Sequence, residues 1–170
     1  FEEQISYMEW PDRIQSIATV GETVELAKLL SDSIKNQIGV KSVPISATDR
    51  DKLVRYDALF VPIHLVSEFR ALSNTIRLLP VVFHYDADVL LSIVDRSGIE
   101  AIGLVTAEEE SISKIIDELK TLMNFEGAFV AGAMYGKSLP LFVRNTDLIV
   151  YTPASARLVE QKVPEMKREK

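Results

Sequence analysis

Apolar positions along the chain come in short blocks separated by charged turns, and their spacing alternates between two kinds. Ser16-Ile17-Ala18-Thr19-Val20 reads as a strand that Gly21 ends. Beyond it Ala27, Leu30, Ile34 and Ile38 recur at three- and four-residue steps, with Glu25, Lys28, Asp32 and Lys35 between them. That spacing predicts an amphipathic helix, and Gly39 supplies its stop. Val40 to Ser46 and Ala58 to His64 are branched or apolar runs and predict the second and third strands. Leu65 to Asn74 predicts a helix, and Leu78 to Tyr85 a strand covered on both faces.

The order then restarts. Ala87 to Arg96 predicts a helix with Val89, Leu90, Ile93 and Val94 inward, and Ala101 to Thr106 a strand. Glu108 to Met123 predicts the clearest helix, its stripe formed by Ile112, Ile115, Ile116, Leu119, Leu122 and Met123. Glu108, Glu109 and Glu110 are expected in its first turn, complementing the positive end of the dipole. Phe125 to Ala131 predicts a strand ending in Gly132, Lys137 to Val143 a short helix, and Leu148 to Tyr151 the last strand. Thr152-Pro153-Ala154-Ser155 opens a terminal helix.

Alternating strands and helices with covered strands predict an α/β fold with parallel strands, because parallel neighbours need crossover helices. About seven strands suit one sheet or two, and the restart favours two Rossmann-like lobes. The expected division is an N-terminal linker or dimer segment over 1–15 and a two-lobed effector-binding domain over 16–170. Within that domain lobe 1 covers about 16–85, lobe 2 about 86–153 and a C-terminal helix about 154–166.

Composition narrows the function classes. A chain of 170 residues, 47% hydrophobic and 26% charged, has the makings of a globular core and not of a disordered or collagen-like scaffold. With 25 acidic against 19 basic residues the net charge is -6, and no basic face is available to hold a polyanionic backbone. The absence of cysteine removes disulfides, thiolate zinc sites, cysteine nucleophiles and racemases of the two-cysteine kind, and favours a cytoplasmic origin. No apolar run approaches the roughly 18 residues that span a bilayer, and no leader opens the chain, so neither membrane nor export is expected. A start at Phe1 and an end at Lys167-Arg168-Glu169-Lys170 read as cuts in a longer polypeptide.

In parallel sheets ligands bind at the carboxyl ends of strands, where helix amino termini favour negative groups. That rule selects Gly21, Thr23, His64, His84, Tyr85, Thr106, Gly132, Tyr135, Thr152 and Ser155 as candidate ligand-binding residues. Each has a plainer reading. Gly21 ends a strand and belongs to no GxGxxG or GxxxxGK motif; Thr23 caps a helix; Ser155 follows Pro153 at a helix start and lacks a GxSxG elbow. His64 and His84, the only imidazoles, sit where a general base or donor would project, yet a structural or hinge role is the plainer reading of each. Tyr135 and Tyr151 offer stacking on a planar ligand or core filling. No catalytic residue, metal site or cofactor is expected, and the glutamate run reads as a solvated helix start.

Ala101-Ile102-Gly103-Leu104-Val105-Thr106, Phe129-Val130-Ala131-Gly132-Ala133 and Thr146-Asp147-Leu148-Ile149-Val150-Tyr151-Thr152-Pro153 together resemble the effector-binding part of GntR-type bacterial transcription regulators. Tyr56-Asp57-Ala58-Leu59-Phe60-Val61-Pro62, followed by His64-Leu65, is similar to the corresponding place in the first half. Strand endings of this kind also occur in other two-lobed sensors, including the amino-terminal domains of propionate-type activators. The resemblance implies a periplasmic-binding-protein-like fold, a small-molecule inducer between two lobes, a homodimer, and a winged-helix DNA reader elsewhere in the polypeptide.

Three functions are therefore in play. The first is a sensor that closes on a small-molecule effector, towards whose anionic groups the helix termini give a mild bias, and signals to a missing DNA-binding domain, which needs no catalysis. The second is an enzyme on two Rossmann-like lobes, resembling uroporphyrinogen synthase. The third is an interaction module with a dimer seam around Phe1, Ile5, Tyr7, Met8 and Trp10.

Overall fold

The computed structural model describes residues 16–136, 138–164 and 167–169. The expected dimer segment over 1–15, with its Phe1, Ile5, Tyr7, Met8 and Trp10 patch, and Lys137 lie outside the described residues. The chain divides into two compact units, one ending at Phe83 and the other beginning at His84.

The first unit contains β1 (Ile17–Gly21), α1 (Val24–Ile38), β2 (Val43–Ser46), α2 (Arg50–Leu53), β3 (Ala58–Pro62), α3 (Val66–Phe69) and β4 (Arg77–Val81). All pairings are parallel and the order is β2-β1-β3-β4. Strand β3 is buried over its whole length, and its alternate side chains serve two cores. Leu59 and Val61 meet Ala18, Val20, Leu53, Leu65 and Phe69 on one face. Ala58 and Phe60 meet Leu30 and Ile34 of α1 on the other. The predicted stripe of α1 is thus the face that covers the sheet, and its end is fixed by Gly39 at φ 74, where a left-handed residue donates its N–H to the Lys35 carbonyl.

The second unit contains α4 (Ala87–Val94), β5 (Ala101–Thr106), α5 (Ser111–Met123), β6 (Ala128–Ala133), β7 (Leu148–Tyr151), α6 (Ala156–Lys162) and β8 (Arg168–Glu169). Its strands are also all parallel, in the order β6-β5-β7-β8. Val105, Ile149 and Tyr151 pack with Ala156, Val159 and Val163, while α5 lies against β5 and β6. The fold is α/β with two separate parallel sheets.

The two units repeat one plan. Ile17 pairs with Ala58 and Ile102 with Leu148, so the first and third strands of each unit share a register. Asp57 and Asp147 each precede that third strand. Asp57 Oδ2 accepts from Ser16 N at 2.9 Å and Ser16 Oγ at 3.0 Å. Asp147 Oδ2 accepts from Glu100 N and Ala101 N, both at 2.9 Å. Each carboxylate ties the start of one strand to the start of its neighbour, and the Asp147 carboxyl is held below the usual carboxylate range by the Ala101 and Glu100 amides, with Lys167 adding attraction.

Several expected boundaries move for identifiable reasons. The third strand stops at Pro62, which has no N–H to extend a ladder, so His64 falls in a 3-10 turn over Ile63–Leu65 and not on the strand. The helix expected over Leu65 to Asn74 is a single turn, α3, followed by a 3-10 segment over Arg70–Asn74. The fourth strand ends at Val81, leaving His84 and Tyr85 in irregular chain. Helix α5 begins at Ser111, because Thr106 Oγ1 donates to the Glu108 carbonyl at 2.7 Å and fixes Glu108 to Glu110 in a turn ahead of the helix. Val94 and Leu122, expected inward, are more than half exposed. Gly132 lies inside β6 and not at its end, and the short helix expected over Lys137 to Val143 is a 3-10 turn over Leu141–Arg144. The terminal helix stops at Lys162 because Val163, preceding Pro164, takes extended angles; an unexpected two-residue strand, β8, follows.

Candidate functional site

At the carboxyl edge of the first sheet the turn after β1 and the turn after β3 meet. Thr23 caps α1, its Oγ1 accepting from Leu26 N at 3.1 Å, so its hydroxyl is engaged in the plain role. Gly21 is required for a different reason: a Cβ there would stand 2.4 Å from Ala27 N, so α1 rests directly on the end of β1. Glu22 follows in the same turn, and its Oε1 lies 2.5 Å from His64 Nε2. The pair is open to solvent on one side, with His64 46% and Glu22 31% exposed. Ser46 Oγ, at the end of β2, donates to the Glu22 carbonyl at 3.2 Å and lies 2.9 Å from Thr48 Oγ1. Gly21, Thr23 and His64 are therefore brought together, with Glu22, Ser46 and Thr48 beside them.

Nε2 faces the Glu22 carboxyl, and Nδ1 is the ring nitrogen left for another partner. With the hydroxyls nearby, that arrangement can bind a polar group by hydrogen bonds or take a proton from it.

The carboxyl edge of the second sheet is more tightly closed. Thr106 is fully buried with its hydroxyl donating to the Glu108 carbonyl. Ser155 is fully buried too, its single Oγ–H within reach of Thr152 O at 2.9 Å and Val105 O at 3.1 Å, while Thr152 Oγ1 lies 3.4 Å away. These hydroxyls join β5, β7 and the start of α6. Tyr135 is 69% exposed, its hydroxyl donating to Glu109 Oε2 at 3.3 Å, so it fills no core volume; Tyr151 is buried and donates to Glu160 Oε1 at 3.2 Å. Gly132 lies under Pro140 and Phe142. His84 is exposed, and the Tyr85 hydroxyl donates to Glu118 Oε2 at 2.7 Å.

Glu22 stands in the turn Gly21-Glu22-Thr23 that the strand-end rule selects and Glu109 in the run expected as a solvated helix start, neither of them expected to bind a ligand, and Ser46 and Thr48 were not foreseen at all. A carboxylate immediately after the first strand was the available signal for Glu22. Among the described residues no group of three or more histidine, aspartate or glutamate side chains is placed to hold a metal ion, and no helix is long and apolar enough to cross a membrane. Comparison with protein-family models, with curated proteins and with solved structures finds no match.

Proposed function

We propose that this chain is the small-molecule-sensing domain of a cytoplasmic transcription regulator of the GntR type, its two units acting as the lobes of a periplasmic-binding-protein-like sensor. One observation carries the reading: the same parallel order is built twice, so each unit presents a carboxyl edge of the kind that binds ligands in such sheets. In the first unit that edge carries the half-open Glu22–His64 pair beside the amino terminus of α1. An effector with an anionic or hydrogen-bonding group suits it. Contact with DNA belongs, in this proposal, to a domain outside the 170 residues, in keeping with the net charge of -6.

Thermal unfolding against a panel of sugars, amino acids, organic acids and phosphorylated metabolites tests the reading. A ligand at a hundred times its Kd stabilises by about 2.7 kcal/mol and raises the midpoint clearly. A flat response across all four classes counts against it.

The Glu22–His64 pair also favours a second reading, an enzyme on two Rossmann-like lobes, because a carboxylate-oriented imidazole is a serviceable general base. Turnover of the stabilising compound, lost in His64→Ala, would select the enzyme; binding without turnover selects the sensor.

A further inference from the structure

We propose that the outer edge of β6 pairs antiparallel with the same edge of a second copy of this chain, joining two second-unit sheets into one. Whatever the effector, the four sheet edges are treated differently. Ala47 N donates to Gly21 O, so the alternate residues Pro44 and Ser46 direct their backbone away from β1. Arg77 N donates to Asp57 O, which turns Leu78 and Pro80 outward in the same way. Each outer strand of the first sheet thus has a proline where an N–H would otherwise face a newcomer. In the second sheet β8 is two residues long and begins with Arg168.

Strand β6 has none of these devices. It runs for six residues, Ala-Phe-Val-Ala-Gly-Ala, with no charge and no proline. Ala128 N donates to Glu100 O and Met134 N to Thr106 O, so Phe129 and Ala131 turn their N–H and C=O groups outward. Among the described residues no hydrogen bond reaches those groups.

A second copy fits this edge better than an arbitrary peptide because the strand is complementary to itself. A two-fold axis beside Val130 sets Phe129 against Ala131 of the second copy and Ala131 against its Phe129, giving four hydrogen bonds from the four outward groups on each side of the seam's centre taken together. Val130, 37% exposed, then meets its own copy in the close, non-hydrogen-bonded position, and Ala128 meets Gly132. Every large side chain faces a small one except at the axis, where two valines pack well. Phe129 is already held from within by Phe125, at 5.4 Å between ring centres, and by Lys120 above its ring.

The test uses the whole 170-residue chain. Sedimentation across a wide concentration range should give a dimer, and Ala131→Pro and Val130→Lys should each give a monomer with an unchanged circular dichroism spectrum. Ala131→Pro removes only an outward N–H; Val130→Lys sets two like charges together at the axis. Should the proline variant fail to fold, the lysine variant and hydrogen exchange decide. The Phe129 and Ala131 amides of the wild-type chain should exchange at least about tenfold more slowly under dimer-forming conditions than on dilution. A wild-type monomer at every concentration, a dimer that survives Val130→Lys, or exchange at these amides that ignores dilution would each overturn the proposal.

Discussion

Substituting Gly21 by alanine probes the contact on which the first unit's carboxyl edge is built. The added methyl would stand 2.4 Å from Ala27 N, 2.8 Å from Ala27 Cα and 3.0 Å from Leu26 C, all of them backbone of α1. Ordinary contact needs about 3.5 Å, so the helix must withdraw by roughly 1 Å along with Glu22 and Thr23. Overpacking against backbone belongs at the upper end of the usual range, about 3 kcal/mol, and the lost freedom of the unfolded glycine returns about 0.7 kcal/mol. The expected net loss is about 2 kcal/mol. Gly103→Ala is the control, since its methyl would meet Ile149 Cδ1 at 2.7 Å, Thr146 Oγ1 at 2.9 Å and Phe142 Cε2 at 3.0 Å, all side-chain atoms, which yield more readily than helix backbone. Its net cost is expected below about 1 kcal/mol. Urea titration followed by hydrogen exchange resolves each unit separately. Equal costs, or a larger cost at Gly103, would show that α1 does not rest on Gly21 in this way.

Three further outcomes follow from side-chain hydrogen bonding. Thr146 Oγ1 is buried without a hydrogen-bond partner among the described residues, so Thr146→Val should raise stability by about 1 kcal/mol in denaturant titration. Ser155→Ala should cost only about 1 kcal/mol, because Val105 O and Thr152 O keep the backbone donors Thr152 N and Ser155 N. Asp147 titrates lower in the folded chain than in the unfolded one, so its stabilisation is complete above the unfolded value of about 4 and fades as pH falls through the folded value. Asp147→Asn should therefore fall short of the wild type at neutral pH and converge with it in acid; a constant gap from neutral pH down to acid would contradict this.

The α/β alternation was legible because Ala101 to Thr106 and Leu148 to Tyr151 are apolar runs with clear punctuation, and the structure keeps both boundaries. The stripe and the glycine stop of α1 were equally plain. Boundaries set by hydrogen bonds that periodicity does not register were missed, such as the Thr106 turn that delays α5. The candidate site was half legible. The strand-end rule found His64 and Thr23 and selects the turn that holds Glu22, whereas Ser46 enters through the pairing of β1 with β2, which no local pattern specifies. Ser155 and Thr152 follow the same rule and yet spend their hydroxyls inside the fold. The matching roles of Asp57 and Asp147 were visible in retrospect as an aspartate before each unit's third strand.

The proposed effector site lies at the carboxyl edge bearing His64 and Glu22. Calorimetric titration of the best-stabilising metabolite into wild-type protein and into His64→Ala and Glu22→Gln measures it directly. The account predicts saturable binding by the wild type, weakened about tenfold or more in both variants while their unfolding midpoints stay near the wild-type value. Binding that is indifferent to both substitutions would contradict it.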